Sequence, residues 1–428
     1  MGSEREAAPV GDVPYFFLSY ARTPRHDRNA STDPNRWVHQ LYNDLSDEVM
    51  QITKSRIAGF MDREIRVGMQ WSKELTTALS TCKVFVPLYS PRYFVSENCG
   101  KEWLAFSRRV LDQQARRPET GMAIVPALWV PVDEESLPNV AQKIQFDHYE
   151  LGERYGADGF YGIMKITRYQ DDYTLAVQAL ARRIVDVAKK TAIEPGPQAD
   201  FETSESAFGD SAVHLTPEKR MQLTVVAPDI SHLPNGRSKH YYGRRPHQWC
   251  PYFPAAPMPI TDYAVQLTYF LGCEPNVGTL DDHVKDATNG RIAPGLLLID
   301  AWATRSPSCR RQLRILDELD QDWTSVLLPW NKEDSETVRS GRKLRENIEM
   351  CLNRKLSNIP HRYRRAAIEI ETIQDFGDVM APMVMTMRRK FLKHAQPNLP
   401  RDPHPPRGSA AERPRLRASS DEGPEGTL

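Results

Sequence analysis

The feature that most constrains the fold is a series of short hydrophobic runs, each followed by a helical pattern with apolar residues on one face. Residues 15–18 and 84–88 are continuous apolar runs that end in polar turns at Ser19 and Ser90. Continuous apolar runs are typical of strands in a parallel sheet, because helices cover both faces of such a sheet. Their alternation with helices predicts an α/β fold with parallel sheets flanked by helices.

This alternation extends from about residue 12 to residue 190. Predicted strands cover residues 15–18, 57–61, 84–88 and 123–130. Apolar residues recur three or four positions apart between the strands, which places them on one face of a helix. The helical stripes are Trp37, Leu41, Leu45 and Val49; Leu75, Leu79 and Cys82; Trp103, Phe106 and Val110; and Tyr173, Val177, Leu180, Ile184 and Val187. We therefore predict a first domain over residues 12–190.

The composition changes after this domain. Pro, Gly, Ser, Glu and Asp dominate the next stretch, which predicts a linker over residues 191–220. A weaker strand–helix pattern then predicts a second, degenerate domain over residues 221–395. Its predicted elements are strands at 223–227, 295–300 and 326–330 and a helix at 263–271. Residues 396–428 are rich in Pro and Arg and lack apolar periodicity, so we predict a disordered tail.

The two domains can be aligned on each other. Ser96 and Cys99 align with Ser306 and Cys309. Trp129 likewise aligns with Trp330, and the Gln-Asp pair at 170–171 aligns with the pair at 374–375. The three sequence shifts differ from one another by fewer than ten residues. This near-constant shift indicates a duplicated domain. The position that matches Glu102 is Gln312, whose amide carries no negative charge, so we expect the second copy to be chemically silent.

Charge and cysteine usage exclude several classes of function. The 56 basic and 56 acidic residues balance, so the chain as a whole offers no electrostatic attraction to nucleic acid or a membrane surface. No apolar run reaches the roughly 18 residues that span a bilayer, and the first residues lack the order of a signal peptide. The six cysteines are scattered without a CxxC pair, which argues against zinc and disulfides. We expect a cytoplasmic protein with no metal site.

Three motifs occur in order along the first domain: FFLSYAR at residues 16–22, DREIRVG at 62–68 and LYSPRYFVSENCGKEW at 88–103. Together they resemble the Toll/interleukin receptor (TIR) domain, which implies a flavodoxin-like fold for each copy. In TIR enzymes that cleave NAD, the catalytic glutamate falls at the position of Glu102. The resemblance also places Asp62 and Gly68 in the loop that covers the site and mediates contacts between domains, although Gly68 could simply permit a turn.

The chemistry of NAD cleavage suits a single carboxylate. Glycosidic cleavage usually needs two, one to protonate the leaving group and one to oppose the developing cation. The nicotinamide of NAD already carries a positive charge and departs neutral, so Glu102 facing the ribose can suffice. NAD is thus the expected substrate, with no permanently bound cofactor. The competing structural interpretation is that the helix macrodipole favours an acidic residue in a first helical turn, by roughly 0.3–1 kcal/mol.

Further candidate contacts lie at the strand ends, where ligands of parallel sheets bind. Ser19, Asp62 and Ser90 occupy such positions. Ser90 could bond a ribose or phosphate, or could cap the next turn.

The remaining candidates have equally ordinary alternatives. Arg22 and Arg63 could contact the pyrophosphate, since a guanidinium presents paired donors to phosphate oxygens, or could be exposed loop arginines. Trp71 could stack on a ligand ring, although a large residue at a helix start more often packs against the sheet. Cys99 completes the candidate set, with a small core residue as the alternative.

The whole chain also resembles the bacterial TIR-like FxsC group, which implies a link to peptide maturation or a defence-like response. Two functional hypotheses follow. In the first, a TIR enzyme releases nicotinamide from NAD, self-associates, and uses its second copy as a regulatory cap. In the second, two TIR-type domains form a non-catalytic adaptor that binds another TIR protein or a peptide-maturation protein through the 62–68 loop.

Overall fold

A computed structural model describes most of the chain. The described residues are 13–23, 33–62, 73–133, 136–144, 146–198, 204–208, 220–289, 293–319, 321–359 and 367–395. Arg63, Gly68, Trp71 and the predicted tail at 396–428 lie outside these ranges.

The first sheet has four parallel strands in the order β2-β1-β3-β4. The strands are β1 (Phe16–Ser19), β2 (Gly59–Phe60), β3 (Val84–Tyr89) and β4 (Ala127–Leu128). The two central strands, β1 and β3, are buried along their whole length. The apolar runs form the centre of the sheet because helices cover both of its faces.

The two outer strands are shorter than their hydrophobic patterns predict. The pattern over residues 123–130 reduces to the two residues of β4 and an isolated bridge from Ile124 to Phe85. Pro126 lies between them and has no N–H to donate to the ladder. In β2, a Cβ on Gly59 would come within 2.4 Å of the Phe16 ring, so the close approach of the two strands requires glycine.

Helices surround this sheet. They are α1 (Arg36–Ile52), α2 (Lys73–Thr81), α3 (Glu97–Arg116), α4 (Asn139–Gln142), α5 (Glu153–Lys165) and α6 (Gln170–Thr191). The predicted apolar stripes become the buried faces: Leu41, Leu45 and Val49 of α1 are fully buried. On the α3 side the Phe85 ring stacks on Phe106 with centroids 5.3 Å apart.

The second sheet repeats the same topology, with parallel strands in the order β6-β5-β7-β8. The strands are β5 (Arg220–Val226), β6 (Glu274–Thr279), β7 (Gly295–Ile299) and β8 (Thr324–Leu327). The helices are α7 (Ile260–Phe270), α8 (Leu280–Thr288), α9 (Pro307–Glu318), α10 (Ser335–Asn358) and α11 (Ile373–Ala395). The prediction of two parallel sheets flanked by helices is confirmed.

Edge strand β6 has no counterpart in the sequence prediction. Its sequence, EPNVGT, contains Pro275 and Gly278, which are depleted in strands, and most of it is only half buried or exposed. All six residues of β6 nonetheless pair with β5 in a parallel ladder. An edge strand tolerates proline because one side of it faces no partner.

The two sheets are joined through α3. On α3, Arg108 forms an ion pair with Asp378 of α11 at 2.5 Å. One turn later, Asp112 accepts a hydrogen bond from Tyr263 of α7, also at 2.5 Å. Burial raises the pKa of Asp112 to about 6, although the Tyr263 hydrogen bond acts in the opposite direction. The C-terminal half of α3 is thus held by helices of the second sheet.

The segment predicted as a linker connects the two sheets and also packs against α3. The Ala207 N–H donates to the Gly100 carbonyl at 3.0 Å. Phe208 is buried against the rings of Phe94 and Trp103, at 5.3 and 5.6 Å. The boundaries of the two domains remain a prediction. Within the described ranges, no helix combines the length and the apolar character that crossing a bilayer requires.

We predict that Tyr263→Phe lowers the free energy of unfolding at pH 7 by about 1–3 kcal/mol, because the buried Asp112 carboxylate then loses a donor. Urea denaturation measures this loss. Tyr149→Phe is the matched control, since Tyr149 is exposed. Equal losses in the two variants would show that the bond between α3 and α7 contributes nothing.

Candidate functional site

Glu102 belongs to α3, and its side chain reaches the end of β1 at the carboxyl edge of the first sheet. Its side chain is 7% exposed, and its Oε2 accepts a hydrogen bond from the Ser19 hydroxyl. The Ser19 oxygen is also 2.9 Å from the Tyr93 hydroxyl. The three side chains therefore form one buried chain of hydrogen bonds that runs from α3 across the strand end.

Local sequence explains how Glu102 reaches this position. The Ser96 hydroxyl caps α3 by accepting from the Cys99 N–H at 3.3 Å, which sets the start of the helix. Cys99 and Glu102 are three residues apart and so lie on the same helical face. The acidic residue of the first turn is Glu97, not Glu102. The macrodipole interpretation therefore applies to Glu97, and the burial of Glu102 needs another reason.

The surroundings of Glu102 favour its neutral form. Burial raises its pKa to about 8 and outweighs the hydrogen bond from Ser19, which lowers it. Asp62 raises the pKa further, while Arg22 lowers it. At neutral pH the group is mostly a carboxylic acid. A carboxyl group perturbed in this way by burial and specific neighbours is a typical mark of a functional site.

Arg22 and Asp62 form a pair beside this carboxyl group. Arg22 donates to the Asp62 backbone carbonyl at 3.0 Å and lies 3.4 Å from its carboxylate. The Tyr20 hydroxyl contacts the same carbonyl at 3.4 Å. Arg22 thus binds within the protein in this arrangement, and a phosphate would have to compete with Asp62 for it.

The other sequence candidates take different positions. The Ser90 hydroxyl accepts from the Tyr93 N–H at 3.1 Å, which is the capping alternative, and Ser90 also lines a cavity. Cys99 is buried, and burial raises the pKa of its thiol, so it is a protonated core residue. Arg63 and Trp71 are outside the described residues. The structure therefore brings Ser19, Cys99 and Glu102 together.

Tyr93 was absent from the sequence-based candidates. It is fully buried and connects Ser19 to the short 3₁₀ turn Tyr93–Val95. The only sequence signal was its place between Ser90 and Ser96, in a turn that the motif already marked.

A cavity of about 520 Å³ opens at the carboxyl ends of β1, β3 and β4; we call it the strand-end cavity. Its lining includes Ser90 and three cationic side chains, Arg36, Arg92 and Lys165. The lining also includes the aromatic residues Trp37, Trp129 and Tyr161.

The charged side chains that line the strand-end cavity are all positive among the described residues. Within the part of the chain that the structure describes, no carboxylate lines it and none of its three cations forms an ion pair. Its volume is within the range of small-molecule sites, which is about 300–1,000 Å³. Unpaired cations beside aromatic rings suit a ligand that carries both negative charge and planar rings. Glu102 is not among the residues that line it.

The carboxylate at the carboxyl edge of the second sheet is Asp300, which directly follows β7, is buried and accepts from the Tyr242 hydroxyl at 2.6 Å. Thr224 pairs with Leu297 two residues before the end of β7, just as Ser19 pairs with Pro87 two residues before the end of β3. The Thr224 hydroxyl contacts His283 Nδ1 at 2.6 Å instead of a carboxylate. Gln312 is partly exposed and donates to Asp281 of α8. Neither Thr224 nor Gln312 reproduces the contact between Ser19 and Glu102.

Residues 16–158 match the family model for the TIR domain. That match supports a TIR domain over this part of the chain. A comparison with curated proteins finds no match to the chain. Within the described ranges, no three His, Cys, Asp or Glu side chains are grouped to hold a metal ion.

We predict that Glu102→Gln flattens the pH dependence of stability between pH 5 and pH 8. The unfolded chain ionises Glu102 above about pH 4.5, whereas the folded protein keeps the proton up to about pH 8. Stability from this group is therefore present below pH 4.5 and is lost as the pH rises through 8, about 5 kcal/mol in total. Glutamine removes that loss and can still accept from Ser19.

Chemical denaturation at pH 5, 6.5 and 8 measures this difference. Glu97→Gln is the control on the same helix, because Glu97 is 73% exposed. Parallel pH curves for wild type and Glu102→Gln would contradict a raised pKa at Glu102.

Proposed function

We propose that this protein is a TIR-type NAD glycohydrolase that acts in signalling, with Glu102 as its catalytic carboxylate. The observation that carries the proposal is the buried Glu102 carboxyl group at the sheet edge, tied to Ser19 and perturbed in its pKa. Stability alone does not explain such a group, because burying a carboxyl costs free energy and an apolar residue would pack there without that cost.

The ionised form of Glu102 performs the chemistry. Facing the ribose, the carboxylate opposes the positive charge that develops as the bond to nicotinamide breaks. Nicotinamide leaves as a neutral molecule, so no second carboxyl group has to supply a proton. Water then adds to C1 of the ribosyl cation, forming a C–O bond, and releases one proton to solvent. Ser19 acts as a positioning residue, because its hydroxyl orients the Glu102 carboxyl group, and Tyr93 orients Ser19 in turn.

The strand-end cavity supplies a binding surface for the rest of the dinucleotide. NAD carries a pyrophosphate and two planar rings, which matches the unpaired cations and the aromatic residues of the lining. Arg36, Arg92 and Lys165 are the phosphate contacts under this proposal. Trp37 or Trp129 would stack on a ring of the ligand.

The described arrangement corresponds to a resting state. Glu102 is protonated at neutral pH and does not line the strand-end cavity, so turnover requires a rearrangement that exposes and ionises it. A second copy of the chain that completes the site is one source of that rearrangement, and TIR domains often self-associate. The second sheet, with Gln312 in the matching position, acts as a regulatory unit in this proposal.

A second candidate function is a non-catalytic TIR adaptor. The observation that favours it is the same burial of Glu102, whose carboxyl group is engaged by Ser19 and not by a cavity. Under this hypothesis the chain binds another TIR protein or a peptide-maturation protein, as the resemblance to the FxsC group implies. Contacts would then run through the loop that begins at Asp62.

We predict that the full-length protein releases nicotinamide from NAD, with a rate that rises with pH as Glu102 ionises near pH 8. Glu102→Gln lowers the rate by at least about 100-fold, because an amide cannot oppose the developing cation. Glu97→Gln is the matched control and retains the wild-type rate. Liquid chromatography with mass detection measures nicotinamide and ribosyl products over a range of protein concentrations and pH values.

Three results decide between the candidates. Equal rates for wild type and Glu102→Gln would remove Glu102 from the mechanism. No release at any pH or protein concentration would favour the adaptor. A rate per molecule that increases with protein concentration would support completion of the site by a second copy.

We also predict that Arg36→Ala and Lys165→Ala each weaken NAD binding by about tenfold, since each removes a charge-assisted contact to phosphate. Calorimetry on the Glu102→Gln background separates binding from turnover. Arg342→Ala is the control, because Arg342 is 94% exposed on α10. Unchanged affinity in both cavity variants would place the pyrophosphate elsewhere.

A further inference from the structure

A second cavity, of about 890 Å³, lies beside β4 and the inserted helices α4 and α5; we call it the side cavity. It is lined mainly by apolar and aromatic residues. They include Tyr89, Pro126, Leu128, Leu137, Phe146 and His148. Neither the strand-end cations nor Glu102 belong to this lining. The two cavities therefore present different chemistry to a ligand.

The walls of the side cavity disfavour an anionic ligand. Among the described residues, no Lys or Arg lines it. The Asp147 carboxylate belongs to the described lining, is exposed and accepts from the Tyr149 N–H at 2.9 Å. Because an unpaired charge is costly to bury, an anionic ligand would lose hydration here without gaining an opposite charge, whereas a neutral ligand avoids this cost.

The aromatic rings that line the side cavity form flat walls that suit a planar ligand. The His148 ring lies edge-to-face against Phe146 at 5.0 Å and against Tyr89 at 6.1 Å. Burial lowers the pKa of His148 to about 4, so the imidazole is neutral at physiological pH. A flat ring can stack or pack edge-on here, and such aromatic contacts add about 0.5–1.5 kcal/mol beyond the buried area.

Tyr89 carries an unused hydroxyl at this place. The residue is 4% exposed and lines the cavity, yet its hydroxyl has no hydrogen-bond partner among the described residues. Burial raises its pKa, so the phenol remains a neutral donor. By contrast, the Tyr155 hydroxyl accepts from the Leu128 N–H at 2.7 Å. A buried hydroxyl without a partner is costly, and a ligand with an acceptor would satisfy it once a turn of the Tyr89 side chain brings the covered hydroxyl to the cavity.

We propose that the side cavity is a binding site for a neutral, planar small molecule that bears a carbonyl-type acceptor, such as an aromatic amide. The ring packs among Tyr89, Phe146 and His148, and the carbonyl accepts from the Tyr89 hydroxyl. This site is separate from the strand-end cavity and does not depend on NAD cleavage.

Benzamide is the probe for a ligand-observed NMR titration of the full-length protein. We expect benzamide to bind. Benzoate, which has the same ring and a charge, and cyclohexanecarboxamide, which has the same amide and no planar ring, should each bind at least about tenfold more weakly. Tyr89→Phe should weaken benzamide binding roughly three- to tenfold, through loss of one hydrogen bond. Its melting temperature should not fall, because the variant removes an unpaired polar atom.

Blocking variants localise the site. Ala157 is exposed on α5 and lines the cavity, so Ala157→Trp should fill it and abolish benzamide binding without disturbing the core. Leu175→Trp on α6 is the control, since Leu175 is 63% exposed and is not part of the lining. Glu102→Gln should bind benzamide as wild type does. The proposal would be overturned if wild type did not bind benzamide, or if Ala157→Trp or Tyr89→Phe bound it as well as wild type does. Binding of benzoate as tight as that of benzamide would overturn it too.

Discussion

The site depends on the removal of the Glu102 carboxyl group from water at the edge of a parallel sheet. Taking a carboxylate out of water is expensive, so the group keeps its proton and its pKa rises to about 8. One hydroxyl, from Ser19, provides the direct hydrogen bond, and Tyr93 holds that hydroxyl. Under the proposed function, such a site is silent while closed and becomes reactive when the carboxyl group is exposed to ligand and ionises. Burial thus couples the charge of the group to its conformation.

The position of α3 connects this chemistry to the rest of the molecule. Its first turns carry Glu102 and contact the connecting segment at Ala207, while its later turns bind the second sheet through Arg108 and Asp112. A displacement of the second sheet would therefore be transmitted to a helix that holds the carboxyl group. The second sheet has the same topology, but Gln312 stands at the position that matches Glu102, and the carboxylate at its strand ends is Asp300, which accepts from Tyr242 and from the Trp302 N–H.

Two cavities of different chemical character lie near the carboxyl end of β3. The strand-end cavity holds cations without ion pairs among the described residues, whereas the side cavity has aromatic walls and one unsatisfied phenol. Under the two proposals, this difference in charge sorts their ligands, with an anionic dinucleotide at the strand-end cavity and a neutral planar molecule at the side cavity. Tyr89 and Ser90 are adjacent in the chain but line different cavities: Tyr89 is the last residue of β3 and lines the side cavity, and Ser90 follows the strand and lines the strand-end cavity.

The sequence alone determined the class of fold, because continuous apolar runs such as residues 84–88 and helical stripes such as that of α1 can be buried only in covered parallel sheets. It also marked Ser19 and Glu102 through the motifs around them. It failed for β6, whose residues 274–279 include Pro275 and Gly278 and lack a buried apolar pattern, and for Tyr93, Arg36 and Lys165. Those three are far apart in sequence, and only the chain's path brings them to the strand ends. Tertiary packing likewise decided which carboxyl group keeps its proton, because a raised pKa reflects burial, and burial is a property of the assembled structure.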